Sequence, residues 1–543
     1  MHLGIDPLSA LFLCMLAPQI VASAVASEWK SGGFWVLILA MILTLLAADA
    51  FALMLGFGLM GAASWLLVLR GTAPGARQQA GLSAGIALFS MACLIPAVFL
   101  PAGNIAFALL LLGAGGMAGL APLHAWLPRA QPVPSAGVAA VLSGGVVKIA
   151  LYVIIRYGFI VYGNAIAPWW GAALMAAGAV SVILGSLRAV LEVELKTVLA
   201  CSTIAYAGLI GIGLGLALEA RALDDPALAV LALEAALSCA VAHALFKPLL
   251  LLGTGAVQEG TGTTSLDWLG GLARGMPRLG ILMLIGVIGL TALPLGPGFA
   301  PQFLLLHAVI AAAASSGILA GIGFSVLLAI LALSAGLILA AGIRIFGIGF
   351  LGRPRTLRAA AAEEAEKPIL LAMALLAAFC LPLALTPGLL LRALQPVVQL
   401  LVPNALPQPL SYAPLPLALL LLLPAGLAFL LLRRFGARGE REVSAWNGGF
   451  GKPPVWLPFG DPITQPSGTG FAEPVRRALG ARWLGRPGAD PGEKYMLRPL
   501  ARLNSLLVSW AQRIGRTTLR RNLAILLAAL VLFLVALSLG QGS

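Results

Sequence analysis

Apolar stretches of about twenty residues recur along almost the whole chain and are separated by short polar connections. Backbone that faces lipid must satisfy its own hydrogen bonds, so stretches of this length predict membrane-spanning helices. The composition agrees, because 60% of the residues are hydrophobic and only 10% are charged, against about 25% charged residues in soluble domains. The sequence therefore predicts an all-α polytopic membrane protein with about fourteen transmembrane helices.

The basic residues favour a lipid bilayer rather than nucleic acid as the partner, despite a net charge of +14. They cluster between apolar stretches, at 353–358, 433–441 and 513–521, as cytoplasmic loops do under the positive-inside rule. By the same rule, Arg70 and Arg77 place their connection on the cytoplasmic side. We expect a multi-pass protein of the inner, cytoplasmic membrane. The first apolar stretch follows no basic segment and no cleavage motif, so we expect no cleaved signal peptide.

Prolines and glycines predict two interruptions inside apolar helices. Residues 293–298 contain Pro294, Gly296, Pro297 and Gly298, which remove backbone donors and break a helix. Unwound backbone at membrane depth is tolerated only where it is buried in protein or lines a cavity. Broken helices are also used to build ion-coupled sites. A milder break is expected at residues 247–248, where Pro248 follows Lys247.

Hydropathy and charge divide the chain into three parts. Residues 1–432 form the predicted transmembrane domain, and the proline-rich residues 433–499 form a hydrophilic segment on the membrane surface. Residues 500–543 predict an amphipathic helix, which lies in the interface and leads into a last transmembrane helix. An ordinary cytoplasmic loop with a basic flank is the alternative for the amphipathic stretch.

No residue pattern in the chain indicates enzyme chemistry. The five cysteines stand singly in apolar segments, without a C-x-x-C motif, so neither an iron–sulfur cluster nor a disulfide framework is predicted. No metal-ligand cluster and no nucleotide-binding glycine pattern is present in the sequence. We therefore expect no catalytic residue, no metal and no cofactor in this chain.

Lys148, in the middle of an apolar stretch, is the strongest candidate for a proton-carrying residue. A charge at the bilayer centre costs about 3 kcal/mol, so such residues usually face the bundle interior or a water-filled cavity. A buried lysine can exchange protons at neutral pH. The alternative is a lysine that bonds an unwound carbonyl or extends to a helix end.

Three more ionisable residues lie inside the next long apolar stretch. His243 and Lys247 are four residues apart and share a helix face. Histidine is a natural proton shuttle, and the alternative for both residues is hydrogen-bonded packing. Glu234 precedes His243 by nine residues, so it points to roughly the opposite side of the helix and can meet a neighbouring one.

The remaining candidates stand near predicted helix ends. Glu194 and Lys196, together with Glu192, lie at the junction between two apolar stretches. They form either an entrance to a proton path or a solvated turn. His124 precedes Trp126-Leu-Pro128, where a structural role is the main interpretation and a place on the path is the alternative.

Several segments carry motifs beyond their apolar character: Ala118-Gly-Leu-Ala-Pro-Leu-His-Ala-Trp-Leu-Pro128, Ser143–Arg156, Glu194-Leu-Lys196-Thr-Val-Leu-Ala-Cys-Ser-Thr, His243-Ala-Leu-Phe-Lys247 and Leu269-Gly-Gly-Leu-Ala-Arg-Gly-Met-Pro277. As a set they resemble the antiporter-like membrane subunits shared by respiratory complex I, Mrp-type cation/proton antiporters and membrane-bound hydrogenases. Trp446-Asn-Gly-Gly-Phe-Gly and the arginine-rich entry to the last apolar stretch are similar to the hydrogenase-4 and formate hydrogenlyase branch.

The resemblance implies a membrane-arm subunit of a redox-driven complex that translocates protons or Na⁺. Electron transfer would occur on the membrane and peripheral partner subunits. Ile5-Asp-Pro-Leu-Ser-Ala-Leu-Phe resembles the family's third helix, so the first two helices are expected to be absent.

The chain departs from the family at titratable positions. Gly58 stands where the family has an acid, Met117 where it has a lysine, and Gln302 where it has Glu or Lys. Of the four expected titratable positions, Lys148 alone remains. Two alternatives therefore stay open: a non-pumping subunit that scaffolds the complex, and a stand-alone cation/proton antiporter.

Overall fold

The computed structural model describes residues 2–71, 73, 75–163, 165–403, 414–436 and 466–479. Within these ranges every regular element is a helix, and the only β-type pairings are two isolated bridges. Nine of the helices described there are long and apolar enough to cross a membrane. The predicted all-α fold is confirmed.

The first helices are started by side-chain caps. Asp6 accepts a hydrogen bond from the Ser9 backbone N–H at 2.8 Å, and Asp49 accepts one from the Ala52 N–H at 2.7 Å. Each cap satisfies a backbone donor that has no partner within the helix. The helices of this region are α1 (Pro7–Ser23), α2 (Gly32–Leu46), α3 (Ala50–Leu69), α4 (Ala76–Phe99) and α5 (Asn104–Met117).

Helix α5 is shorter than the apolar stretch of the sequence, which continues beyond Met117 to about residue 123. It ends at Met117, and Gly119 follows with a φ of 75°. This left-handed conformation is one that glycine adopts without strain, and it stops a helix. The apolar residues beyond it continue as two one-turn helices, Leu123–Trp126 and Leu127–Ala130.

Four helices form the centre of the molecule: α6 (Ala136–Val161), α7 (Pro168–Leu191), α8 (Leu195–Ala222) and α9 (Pro226–Thr261). The most apolar windows of α6 and α8 are completely buried by other parts of the protein, and that of α9 is 83% buried. Lys148 on α6, and His243 and Lys247 on α9, therefore face protein rather than lipid.

Glycines bring α7 and α8 into close contact. On α7 they recur every seven residues at Gly171, Gly178 and Gly185, and Gly208 and Gly215 oppose two of them on α8. A Cβ atom added at Gly185 would lie 2.4 Å from the backbone nitrogen of Ala205. Small residues at such a seam let two helix backbones approach closely within a membrane.

The predicted break at 293–298 is confirmed. Helix α10 (Pro277–Leu290) ends before it and α11 (Phe299–Ser315) begins after it. The break predicted at 247–248 is wrong, because α9 continues through Pro248 as one helix. A single proline removes one backbone donor, and buried neighbours can stabilise the remaining helix. The 293–298 segment combines two prolines with two glycines.

The later helices are α12 (Ile318–Ile348), α13 (Lys367–Leu385), α14 (Pro387–Leu401), α15 (Pro414–Phe435) and α16 (Gly468–Leu479). The apolar sequence over about 368–392 divides into α13 and α14, because Pro387 starts a new helix. Two further one-turn helices are Leu272–Gly275 and Leu357–Ala360.

Part of the predicted surface segment is described. Helix α16 lies against the end of α7, where Arg476 Nη2 donates to the Leu191 carbonyl at 3.0 Å. The Trp446 motif, the amphipathic helix after residue 500 and the predicted last transmembrane helix lie outside the described residues. Their structure therefore stays a prediction.

Candidate functional site

Lys148 and His243 meet in the centre of the bundle. Helix α6 places Lys148 Nζ 2.7 Å from His243 Nδ1 on α9. Lys148 is 1% exposed and His243 is 0% exposed. At this distance an ammonium group can donate to a neutral imidazole nitrogen. The two strongest sequence candidates therefore form one hydrogen-bonded pair.

Lys148 also contacts a carbonyl of its own helix. Its Nζ lies 3.4 Å from the Ser143 carbonyl oxygen, within a π-helical turn at Leu142–Val146. Such turns are frequent at functional sites. Because hydrogen bonds weaken beyond about 3.2 Å, the histidine contact is the stronger one. Bonding to an unwound carbonyl therefore explains only the weaker contact of Lys148.

Lys247 lies one turn beyond His243 on α9 and is fully buried. Its Nζ donates to the Ser202 hydroxyl of α8. Next to Ser202, the hydroxyl oxygens of Thr203 and Ser143 are 2.7 Å apart. Hydroxyl groups both donate and accept hydrogen bonds, so α8 supplies one neutral partner to Lys247 and another to Ser143, whose carbonyl lies near Lys148.

Tyr206 connects this centre to the helix break. Its ring centroid lies 5.1 Å from that of His243, and its hydroxyl donates to the Leu290 carbonyl at 2.8 Å. Leu290 is the last residue of α10, so the break leaves its carbonyl without a helical partner. Gln302 Nε2 on α11 donates to the same tyrosine oxygen at 3.0 Å.

We call these six side chains the central polar row: Lys247, Ser202, Lys148, His243, Tyr206 and Gln302. Among the described residues, no carboxylate pairs with either lysine of the row. The two lysines therefore bond to an imidazole, a carbonyl and a hydroxyl rather than to carboxylates. Amine and imidazole groups at 2.7 Å can exchange a proton without movement of their heavy atoms.

Glu194 and Lys196 lie outside the row, at the start of α8. The Thr264 hydroxyl donates to Glu194 Oε2 at 2.5 Å, and Lys196 lies within electrostatic range of Glu259. Six residues separate Lys196 from Ser202, which corresponds to a rise of about 9 Å. Their position at an end of the bundle is compatible with both sequence interpretations.

Glu234 and His124 also stand apart from the row. Glu234 is fully buried, and its Oε1 accepts from Gln395 Nε2 of α14 at 2.8 Å. The predicted contact with a neighbouring helix is therefore present. His124 is buried in a one-turn helix, where Trp126 Nε1 donates to the Gly116 carbonyl at 3.0 Å.

Two of the three neutral family positions contribute no side chain to the row. Gly58 faces α4, where an added Cβ would lie 3.4 Å from the Met91 methyl group. Met117 is buried at the end of α5. Only Gln302 belongs to the row, and its amide both donates and accepts but carries no net charge.

The sequence reasoning did not single out Ser202 or Tyr206. Hydroxyl-bearing residues at 202, 203 and 206 recur at helical spacing in an otherwise apolar helix. Such residues make hydrogen bonds between membrane helices. This spacing indicates a polar face on the helix, although it does not identify the helix that packs against that face.

The chain is similar to proteins of known families. A family model described as NADH:quinone oxidoreductase/Mrp antiporter, TM, matches residues 97–328, a range that includes the whole row. Hydrogenase-4 component B of Escherichia coli is 30% identical, over 95% of this chain and 83% of the relative. Formate hydrogenlyase subunit 3 of Escherichia coli is 32% identical, over 72% of this chain and 64% of the relative.

A solved structure extends the likeness to the fold. A chain of an archaeal membrane-bound sulfane sulfur reductase superposes with a TM-score of 0.73, covering 98% of this chain and 89% of its own length, at 21% identity. These comparisons confirm the resemblance that the sequence motifs predicted.

Proposed function

The chain belongs to the NADH:quinone oxidoreductase/Mrp antiporter transmembrane family, and we propose that it contributes a partial proton path to a redox-driven membrane complex. The complex is of the hydrogenase-4 and complex I type, and it translocates protons or Na⁺ across the inner, cytoplasmic membrane. Electron transfer takes place on partner subunits. The observation that carries this proposal is the buried contact between Lys148 Nζ and His243 Nδ1 at 2.7 Å.

The cost of burial supports a functional role for the pair. An ionisable group in a membrane interior is expensive and usually marks an ion or proton pathway. Lys148, His243 and Lys247 lie on the most buried helices of the bundle. A purely apolar contact between α6 and α9 would avoid this cost. We assign Lys148 as the proton carrier, His243 as its exchange partner and Lys247 as a second amine.

Residues nearer the helix ends extend the proposed path. Glu194 and Lys196 form its entrance at the start of α8, on the side to which the basic loops belong. Glu234 and His124 are flanking titratable groups that would need bridging water to exchange protons with the row. The entrance is the more strongly supported of these extensions, because Glu194 is exposed at the surface and Lys196 lies buried two residues further along the chain.

The test compares Lys148→Ala with Lys367→Ala, in which an exposed lysine at the start of α13 is removed. The tagged full-length chain is isolated from membranes in mild detergent, and its partners are identified by mass spectrometry. Proton uptake per electron is then measured in vesicles. We expect redox subunits in the complex, normal assembly of both variants, and loss of uptake only in Lys148→Ala.

A second function is favoured by the neutral residues at Gly58, Met117 and Gln302. In this alternative the chain scaffolds the complex and does not pump. Unchanged proton uptake in a normally assembled Lys148→Ala complex would support it and refute the proton path. Isolation of the chain without redox partners, together with cation/proton exchange activity, would instead indicate a stand-alone antiporter.

A further inference from the structure

A second polar cluster joins the C-terminal part of α6 to the start of α1. Arg156 forms an ion pair with Asp6, and its Nη2 donates to the Ser9 hydroxyl at 2.9 Å and the Tyr152 hydroxyl at 2.7 Å. The Tyr152 hydroxyl donates in turn to the Leu45 carbonyl at 3.1 Å. We call Asp6, Ser9, Tyr152 and Arg156 the outer cluster.

The outer cluster has a buried side and an open side. Ser9 and Tyr152 are fully buried, whereas the side chains of Arg156 and Asp6 are 18% and 28% exposed. The open side faces a cleft of about 520 Å³. Its lining includes residues 4–6 and 47–50 together with Arg156 and Tyr157. Water in the cleft can therefore reach Arg156 and Asp6 but is excluded from Tyr152.

The outer cluster lies on the same face of α6 as Lys148. Lys148, Tyr152 and Arg156 are spaced four residues apart, which aligns them along one side of the helix. The rise from Lys148 to Arg156 is about 12 Å. One helix face therefore leads from the centre of the bundle to the cleft, with Tyr152 halfway.

The cleft opens at the membrane face opposite to the basic loops. It lies at the start of α3, beside Asp49 and Ala50. Arg70 follows the other end of α3, where the positive-inside rule predicts the cytoplasm. Short turns connect α6 to α7 and α7 to α8, so α6 and α8 run in the same direction. The cleft lies at the C-terminal end of α6, whereas the entrance proposed at Lys196 lies at the start of α8. The two openings are therefore on opposite sides of the bundle.

We propose that the cleft at Asp6 and Arg156 is the outer mouth of the proton path, with Tyr152 as the relay to Lys148 and the ion pair as its gate. This inference rests on the proposed function. While the ion pair is intact the gate is closed, and the guanidinium group of Arg156 presents a fixed positive charge that opposes the entry of a hydrated proton. Separation of Asp6 from Arg156 admits water to Ser9 and Tyr152.

The relay conserves protons at each step. The Lys148 ammonium releases one proton to a bridging water and becomes a neutral amine. That water passes a proton to the Tyr152 oxygen, while the hydroxyl proton of Tyr152 transfers to water at Ser9. One O–H bond forms on tyrosine and one breaks, so the side chain is neutral before and after. The proton leaves through the cleft.

Side-specific labelling tests the gate without depending on transport. Ser9→Cys is introduced into a full-length chain whose five native cysteines are replaced by serine or alanine, and the assembled complex is exposed to a membrane-impermeant, cationic thiol reagent. Asp6→Asn opens the pair but keeps a good helix cap. We expect Asp6→Asn to raise the labelling rate of Ser9→Cys about tenfold or more from the cleft side only.

Removal of one hydroxyl tests the relay. Tyr152→Phe keeps the edge contact of the ring with Phe12 at 5.2 Å and deletes only the oxygen. Tyr162→Phe is the matched control, because the Tyr162 hydroxyl is also buried and donates to a carbonyl, that of Ala97 at 2.5 Å. We expect proton uptake per electron to fall about tenfold or more in Tyr152→Phe and to stay unchanged in the control.

The outcomes separate this inference from the proposed function. If Lys148→Ala abolishes uptake while Tyr152→Phe does not, and Ser9→Cys stays unreactive in both backgrounds, the outer mouth is refuted and the central path stands. If Lys148→Ala has no effect, the proposed function is refuted, and the outer mouth falls with it even where labelling succeeds.

Discussion

The two ends of the central polar row use different chemistry. At one end, Lys148, His243 and Lys247 can each gain or lose a proton. At the other end, Tyr206 and Gln302 form equally good hydrogen bonds, at 2.8 and 3.0 Å, but the amide carries no charge. Good hydrogen-bond geometry is therefore not a sign of proton exchange. The two ends differ in whether their groups can carry a proton, and substitutions at each end test whether that difference matters for proton uptake.

The largest expected effect comes from making the titratable end neutral. His243→Gln keeps an acceptor for Lys148 but cannot take a proton. We expect proton uptake per electron in vesicles to fall about a hundredfold, the scale on which positioned acid–base groups act. A rate within about threefold of wild type, a change of less than 1 kcal/mol in the barrier, would refute the distinction between the two ends.

A structural substitution tests whether the close approach of α7 to α8, the helix that carries Ser202 and Tyr206, stabilises the molecule. Gly185→Ala forces a methyl group against the backbone of Ala205 at 2.4 Å. We expect a loss of about 1–3 kcal/mol in stability, the usual cost of overpacking, measured by thermal unfolding of the complex in detergent.

The control is Gly336→Ala in α12, where no heavy atom lies within 4 Å of the added Cβ. There the change should be neutral or stabilising by up to about 1 kcal/mol, because alanine favours a helix over glycine. Equal destabilisation by both substitutions would mean that the close approach of α7 and α8 does not matter.

A smaller effect is expected at the neutral end. Gln302→Leu removes the donor to Tyr206, whose hydroxyl keeps its bond to the Leu290 carbonyl. We expect a loss of about 1 kcal/mol in stability, typical for one hydrogen bond. Proton uptake should stay within about threefold of wild type. A loss of uptake as large as that of His243→Gln would show that the neutral end is part of the path.

The smallest expected effect is the change in stability at acidic pH that comes from Asp6 of the outer cluster. Burial raises the pKa of the Asp6 carboxyl group. The hydrogen bonds from Arg156 and from the Ser9 backbone lower this pKa by more than burial raises it, so it lies below the usual value. A carboxyl group whose pKa is lower in the folded than in the unfolded protein stabilises the fold at pH values above its unfolded pKa of about 3.9. This stabilisation is lost as the pH falls through the pKa of the folded state.

We therefore expect the melting temperature of wild type to fall more steeply than that of Asp6→Asn on acidification below pH about 4. Asp49, which also faces the cleft, is present in both proteins and serves as an internal reference. Parallel melting curves from neutral pH to pH about 3 would contradict this prediction.

The sequence was informative about helices and about which side chains are costly to bury. It predicted the break at 293–298 and the shared face of His243 and Lys247, because both follow from local chemistry and helical spacing. It did not predict that Lys148 bonds His243 rather than a carboxylate, since that contact joins residues 95 positions apart. The continuity of α9 at Pro248 likewise depends on packing.

The Tyr206 hydroxyl is tied to both halves of the broken helix, through the Leu290 carbonyl on α10 and Gln302 on α11. A relative displacement of the two halves by about 1 Å would carry at least one of these contacts beyond hydrogen-bonding range. Mechanical load on either half-helix is thereby converted into a break in polar connectivity. A protein that pressed on the outside of α10 or α11 could disconnect this end of the row from a distance.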